Sequence, residues 1–147
     1  MNILIAEDDF PSRKLMLNYL SKYGQVDVTV DGMEATFAYM MALDEGRNYD
    51  LVCLDVMMPV MDGYQALKVI RDMEKEKNIP MEKRAKVIMT TALNEKKNVD
   101  KAFELGCSVY CAKPIDINKL EKLSGTPPLF VLMNISRTAS ISCLSSR

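Results

Sequence analysis

The chain has 147 residues, 48% apolar and 27% charged, with a formal net charge of -1. That suits a single soluble domain able to bury roughly two-thirds of its unfolded surface. The charge balance argues against a general nucleic-acid binder. No apolar run nears the ~20 residues of a membrane span, and no basic n-region of a signal peptide precedes Ile3-Leu4-Ile5, so a cytoplasmic protein is expected. The sequence contains no histidine, which excludes Ser-His-Asp and Cys-His catalysis and histidine-held metals within it. Cys53, Cys107, Cys111 and Cys143 form no CxxC pair, so reduced, mostly buried thiols are expected rather than a zinc site.

In chain order, Ile3 to Ala6 is a short apolar run ending at Glu7-Asp8-Asp9. Three consecutive acids repel one another unless a cation sits among them, the alternative being a solvated turn. Pro11 and Ser12 open a helix with Leu15, Met16, Tyr19, Leu20 and Tyr23 at helical spacing, ended by Gly24. Val26, Val28 and Val30 alternate with Asp27 and Thr29, as in a half-buried or edge strand. Asp31-Gly32 starts a second helix as far as Gly46, with Ala35, Phe37, Ala38, Met41 and Ala42 inward. Its methionines Met33, Met40 and Met41 are expected to fill core.

Leu51 to Leu54 is an apolar run of strand length that reads as buried on both faces. It ends on Asp55, and Pro59, Asp62 and Gly63 then break the chain into a loop. Taken alone, Asp55 reads more readily as a helix cap or a turn residue than as a reactive acid. A third helix carries Tyr64, Ala66, Leu67, Val69, Ile70 and Met73 and runs into Glu74-Lys75-Glu76-Lys77, expected to be a solvated face. Lys86 to Thr90 is the fourth strand, finishing at Thr91-Ala92. Asn94 opens a fourth helix stopped by Gly106. Ser108 to Ala112 is the fifth strand, ending at Lys113-Pro114, and a last helix begins near Asp116.

Five alternations of strand and helix predict an α/β fold: a flavodoxin-like, doubly wound, five-stranded parallel sheet of order 2-1-3-4-5 with helices on both faces. In that order the first and third strands flank the switch point, so Glu7, Asp8 and Asp55 converge beside one crevice, with Thr91 and Lys113 at neighbouring strand ends. Acids without histidine suit a hard cation such as Mg2+. A cation, a lysine and a hydroxyl together invite a phosphoryl group, which one carboxylate can accept as an acyl phosphate. Without the cation the acids would repel that group.

Glu7-Asp8, Leu54-Asp55, Met58-Pro59 with Asp62-Gly63, Thr91-Ala92 and Lys113-Pro114, in that order, resemble the motifs of receiver domains of two-component response regulators. The resemblance covers residues 1–123 and is closest to single-domain, chemotaxis-type regulators. It implies that Asp55 is the phosphoacceptor, Asp8 a direct Mg2+ ligand, Glu7 a ligand through water and the Met57 backbone carbonyl a third protein ligand. Asp9 is the acid least assigned to the metal. Lys113 would pair with the phosphate, and the peptide before Pro114 would be cis. Thr91 would donate its hydroxyl to the phosphoryl group, and Tyr110 would be the aromatic that follows, the alternative being a packed strand residue.

The phosphoryl group would come from a sensor histidine kinase or a histidine phosphotransfer protein. It would switch a docking face of the fourth helix, fifth strand and fifth helix for a downstream protein. The implied protein is a signalling module rather than an enzyme. A Mg2+-dependent phosphohydrolase using an aspartyl-phosphate is the rival reading, and a receiver-like scaffold that never carries phosphate is a third. Met57 and Leu93, two residues past Asp55 and Thr91, orient water poorly, so slow self-dephosphorylation is expected.

All twenty acids and seventeen of the nineteen basic residues lie in residues 1–123. Residues 124–147 form an atypical tail too short for a separate domain. Gly125-Thr126-Pro127-Pro128 should break the last helix early. The apolar run Leu129 to Met133 then needs cover, by returning to the sheet, by packing where the missing turns would lie, or by pairing with another copy in a homodimer, unless the tail is disordered.

Overall fold

The computed structural model describes residues 1–92, 96–113 and 141–143. The elements are β1 (Asn2–Ala6), α1 (Phe10–Leu20), β2 (Gln25–Thr29), α2 (Gly32–Asp44), β3 (Leu51–Asp55), α3 (Gly63–Glu76), β4 (Lys86–Thr91), α4 (Lys96–Glu104), β5 (Val109–Ala112) and β6 (Ile141–Cys143). A single 3-10 turn, Met81–Lys83, precedes β4. The strands form one sheet of order β2-β1-β3-β4-β5-β6, every neighbouring pair parallel. The order 2-1-3-4-5 is thus as expected, but the sheet has six strands rather than five. The tail returns to it through Ile141–Cys143, in register with Val109, Tyr110 and Cys111. The predicted last helix, the peptide before Pro114, Asn94, Leu93 and the run Leu129 to Met133 lie outside the described residues.

Parallel register puts paired residues on the same face, and the apolar side chains sort accordingly. Leu4, Ala6, Val52, Leu54, Val87 and Met89 face α2 and α3. Ile3, Ile5, Leu51 and Cys53 face the other way, under Met16, Leu17 and Leu20 of α1. β3 is buried along its whole length, which explains its uninterrupted apolar run. Cys53, Cys107 and Cys111 are buried thiols, and burial pushes Cys53 and Cys107 up to about 12.

The helices begin where short polar side chains satisfy their first N–H groups. Asp9 accepts from Ser12 N–H for α1 and Asp31 from Glu34 N–H for α2, while Asp62 and Gln65 form a reciprocal capping box for α3. Several expectations need correction. Helix α1 stops at Leu20, and Leu17 rather than Leu15 packs inward. Gly24 instead admits the backbone of Met1, since a Cβ there would lie 2.1 Å from the Met1 carbonyl oxygen.

Met33, Phe37, Met40 and Met41 are exposed, not core. Helix α2 is apolar on most sides, so periodicity could not choose its inner face. Small side chains at Ala35 and Ala42 bring it close, and the Tyr39 hydroxyl finds a buried acceptor in Glu74 at 2.8 Å. Glu74 in turn is fully buried rather than solvated. It lies four residues past buried Ile70 on the inner face, and Arg71 neutralises it through Nη1 at 2.8 Å. No described helix is long and apolar enough to cross a membrane.

Candidate phosphoacceptor and cation site

The switch point lies between β1 and β3, where the order of strands reverses. There one carboxylate oxygen from each of Glu7, Asp8 and Asp55 lies within 4.8 Å of the others. Glu7 and Asp55 are buried and Asp8 is exposed, so the cluster opens to solvent at one edge. Arg13 on α1 fixes the loop that carries the acids, donating to the carbonyls of Glu7 (2.8 Å) and Asp8 (3.3 Å). Asp9 turns away to cap α1, and its bond to Ser12 holds its carboxyl below the usual range.

Lys113, one residue past β5, brings its Nζ to 2.9 and 2.8 Å from the two Glu7 oxygens and 3.0 Å from Asp55 Oδ2. Its N–H bonds the Thr91 carbonyl at 2.7 Å, which ties the ends of β4 and β5 together. Burial alone would lower the Lys113 ammonium. The hydrogen bonds to Glu7 and Asp55 outweigh it, so the group is raised. Burial pushes the Asp55 carboxyl up to about 7, aided by the charge of Glu7 and opposed by Lys113.

Glu7 Oε2 is buried and lacks a hydrogen-bond donor of acceptable geometry, although Lys113 Nζ is 2.8 Å away. An acidic pocket with a buried, unsatisfied oxygen and only oxygen donors is chemically suited to a hard divalent cation.

The other expected residues fall around this pocket. Thr91 is fully buried at the end of β4, one residue beyond Thr90, the in-register partner of Asp55. Met57 directs its N–H at Asp55 Oδ1 (3.3 Å), with its side chain 60% exposed. Tyr110 is buried on β5.

The loop after Asp55 is held tightly. Gly63 N–H bonds the Val56 carbonyl at 3.0 Å, and a Cβ on Gly63 would come within 2.3 Å of the Asp55 carbonyl oxygen. Only glycine lets α3 start so close to the end of β3. Between them, Val60 has φ 69° and Met61 N–H bonds the Pro59 carbonyl at 2.7 Å. This is the rarer, strained hand of γ-turn, here on a β-branched residue. Sequence reasoning missed Arg13 as the loop's anchor and Tyr64 as a neighbour of Tyr110; neither has a local signal beyond its position on a helix.

The response regulator receiver domain family matches residues 3–124. The chemotaxis protein CheY of Treponema pallidum is 34% identical over 83% of this chain and 79% of its own length. The probable transcriptional regulator ycf29 of Porphyra purpurea is 32% identical over 83% of this chain, which spans only 54% of that relative. Among solved structures, the CheX–CheY–BeF3–Mg2+ complex from Borrelia burgdorferi superposes with a TM-score of 0.66, at 31% identity over 83% of this chain and 84% of that one. With its sheet order, its strand-end acids and its lysine in place, the chain belongs to the response regulator receiver domain family.

Proposed function

We propose that Asp55 accepts a phosphoryl group from a phosphohistidine on a partner sensor histidine kinase or phosphotransfer protein, in the cytoplasm. The observation that carries this is the convergence of Glu7, Asp8 and Asp55 within 4.8 Å, with the Lys113 ammonium 3.0 Å from Asp55. An Asp55 carboxylate oxygen attacks phosphorus, the P–N bond to the donor imidazole breaks, and an acyl phosphate remains on Asp55. Lys113 offsets charge on the phosphoryl oxygens.

Asp8, Asp55, the Met57 carbonyl and, through water, Glu7 would hold Mg2+, whose role when bound is to neutralise the acids that otherwise repel the incoming group. Thr91 donates its hydroxyl to the new oxygens, and its loop moves inward. Tyr110 follows, and the face built on α4, β5 and the segment after Lys113 changes its affinity for a downstream protein.

Incubation with acetyl phosphate and Mg2+ tests the assignment. The expected result is a stable mass increase of about 80 Da that is absent in Asp55→Asn. Rapid release of inorganic phosphate would point to a phosphohydrolase, and no increase in the parent would end the phosphoacceptor reading.

Met57 stands two residues past Asp55 and carries a thioether that cannot hydrogen-bond an attacking water well, and Leu93 stands at the matching distance past Thr91. The acyl phosphate is therefore long-lived. Met57→Asn combined with Leu93→Glu should speed its decay by about tenfold or more, followed by the loss of the added mass with time. An unchanged half-life would refute this part.

A further inference from the structure

Tyr64 is the second residue of α3, and its place is set by the close seating of Gly63 on the end of β3. Both Tyr64 and Tyr110 are buried, and their hydroxyl oxygens are 3.5 Å apart, a long contact between groups from different elements. From a third element, Lys101 of α4 holds its Nζ 4.6 Å from the centre of the Tyr64 ring, within cation–π range. One side chain thus touches β5 and α4 while its backbone is indexed to the strand that ends in Asp55. Burial, and then the Tyr110 hydroxyl, push the Tyr64 phenol up, so it stays protonated and able to donate. An inward Tyr110 must bury its own hydroxyl, and a phenol already held at that depth gives it a polar neighbour.

We infer that Tyr64 is a positioning residue that holds Tyr110 inward and tethers α4 before any phosphoryl group arrives. This rests on the reading of Thr91 and Tyr110 as the switch. On that basis the unphosphorylated chain already favours the inward arrangement, and the movement of Thr91 secures a conformation that Tyr64 has prepared. The Lys101 ammonium over the ring strengthens the Tyr64 O–H as a donor, so the position of α4 and the inward state of Tyr110 support each other.

The full chain labelled with 3-fluorotyrosine tests this by 19F NMR, the Tyr110 signal being the one lost in Tyr110→Phe. Exposure is read from the solvent isotope shift between H2O and D2O, with and without acetyl phosphate and Mg2+. Tyr64→Phe keeps the ring and removes only the hydroxyl. It should raise the exposed population of unphosphorylated Tyr110 by about two- to tenfold, with little change in the urea midpoint. Lys101→Met should shift it the same way by less, and phosphorylation should restore the inward signal in both. A parent chain whose Tyr110 signal switches while Tyr64→Phe leaves it unchanged overturns the proposal alone. Equal effects of Tyr64→Phe and Tyr64→Leu on the urea midpoint also overturn it, because packing would then be the whole role. A Tyr110 signal in the parent that ignores phosphorylation overturns the switch reading and this proposal with it.

Discussion

Asp55 combines burial with a lysine neighbour, and the balance of the two is measurable. Its carboxyl is raised from an ordinary value of 3.8 to about 7, burial being the largest cause. The folded state therefore holds a proton that the unfolded state has released between these values. The stability this lends is complete below pH ~4 and is lost as pH rises through about 7. Asp55→Asn carries no charge at any pH, and Lys113 keeps Glu7 as its partner. In EDTA, its stability advantage over the parent should grow from pH 4 to pH 7 and then level off, on the order of 2 kcal/mol at pH 8, as urea unfolding curves at several pH values would record. Curves that stay parallel would show that Lys113 cancels the burial cost. Asp55, Lys113 and Thr91 stood out in the sequence because each lies at a strand end or one residue past it, where topology alone brings side chains together. Tyr64 was not: only the three-dimensional approach of α3, α4 and β5 reveals its neighbours.

Among the elements, α3 carries two charge pairs of similar spacing and different worth. Lys68 and Asp72 are paired at 2.9 Å, both well exposed, so removing either should cost no more than about 0.5 kcal/mol. Arg71 and Glu74 are paired at 2.8 Å in the interior. Arg71 also donates to the Ala85 and Gly106 carbonyls, at 2.8 and 2.7 Å, and Glu74 accepts from Tyr39 and the Ala85 N–H. This network clamps α3 to α2, to the start of β4 and to the turn after α4. Gly106 takes φ 97° there, and a Cβ on it would meet Arg71 Nε at 3.0 Å. Glu74→Leu should cost about 3–5 kcal/mol, because it strands a buried guanidinium; comparison of its urea midpoint with that of Asp72→Ala checks the contrast. The sequence shows both pairs as helical charge patterns, and nothing local tells the buried one from the solvated one.

For the whole molecule, the tail segment Ile141–Cys143 occupies the outer edge of β5. An uncovered parallel edge presents a row of unpaired backbone groups that invites another chain. Deleting residues 141–147 should produce concentration-dependent association in sizing experiments, while the intact chain elutes at one position across the same range. Identical elution of both would show that the edge is protected by other means. Local chemistry wrote most of this architecture into the sequence. Apolar runs of strand length, capping residues at Asp9, Asp31 and Asp62, and the alternation of periods two and 3.6 specify five strands, their helices and a right-handed winding order. Because that order places the ends of β1, β3, β4 and β5 together, the convergence of Glu7, Asp8, Asp55 and Lys113 could be expected before any coordinate was known. Tertiary structure alone decided which side of the apolar helix α2 faces inward, that Glu74 is buried, and that Ile141–Cys143 adds a sixth strand. Each depends on what stands opposite in space, and pairing across distant segments leaves no periodic trace in either partner.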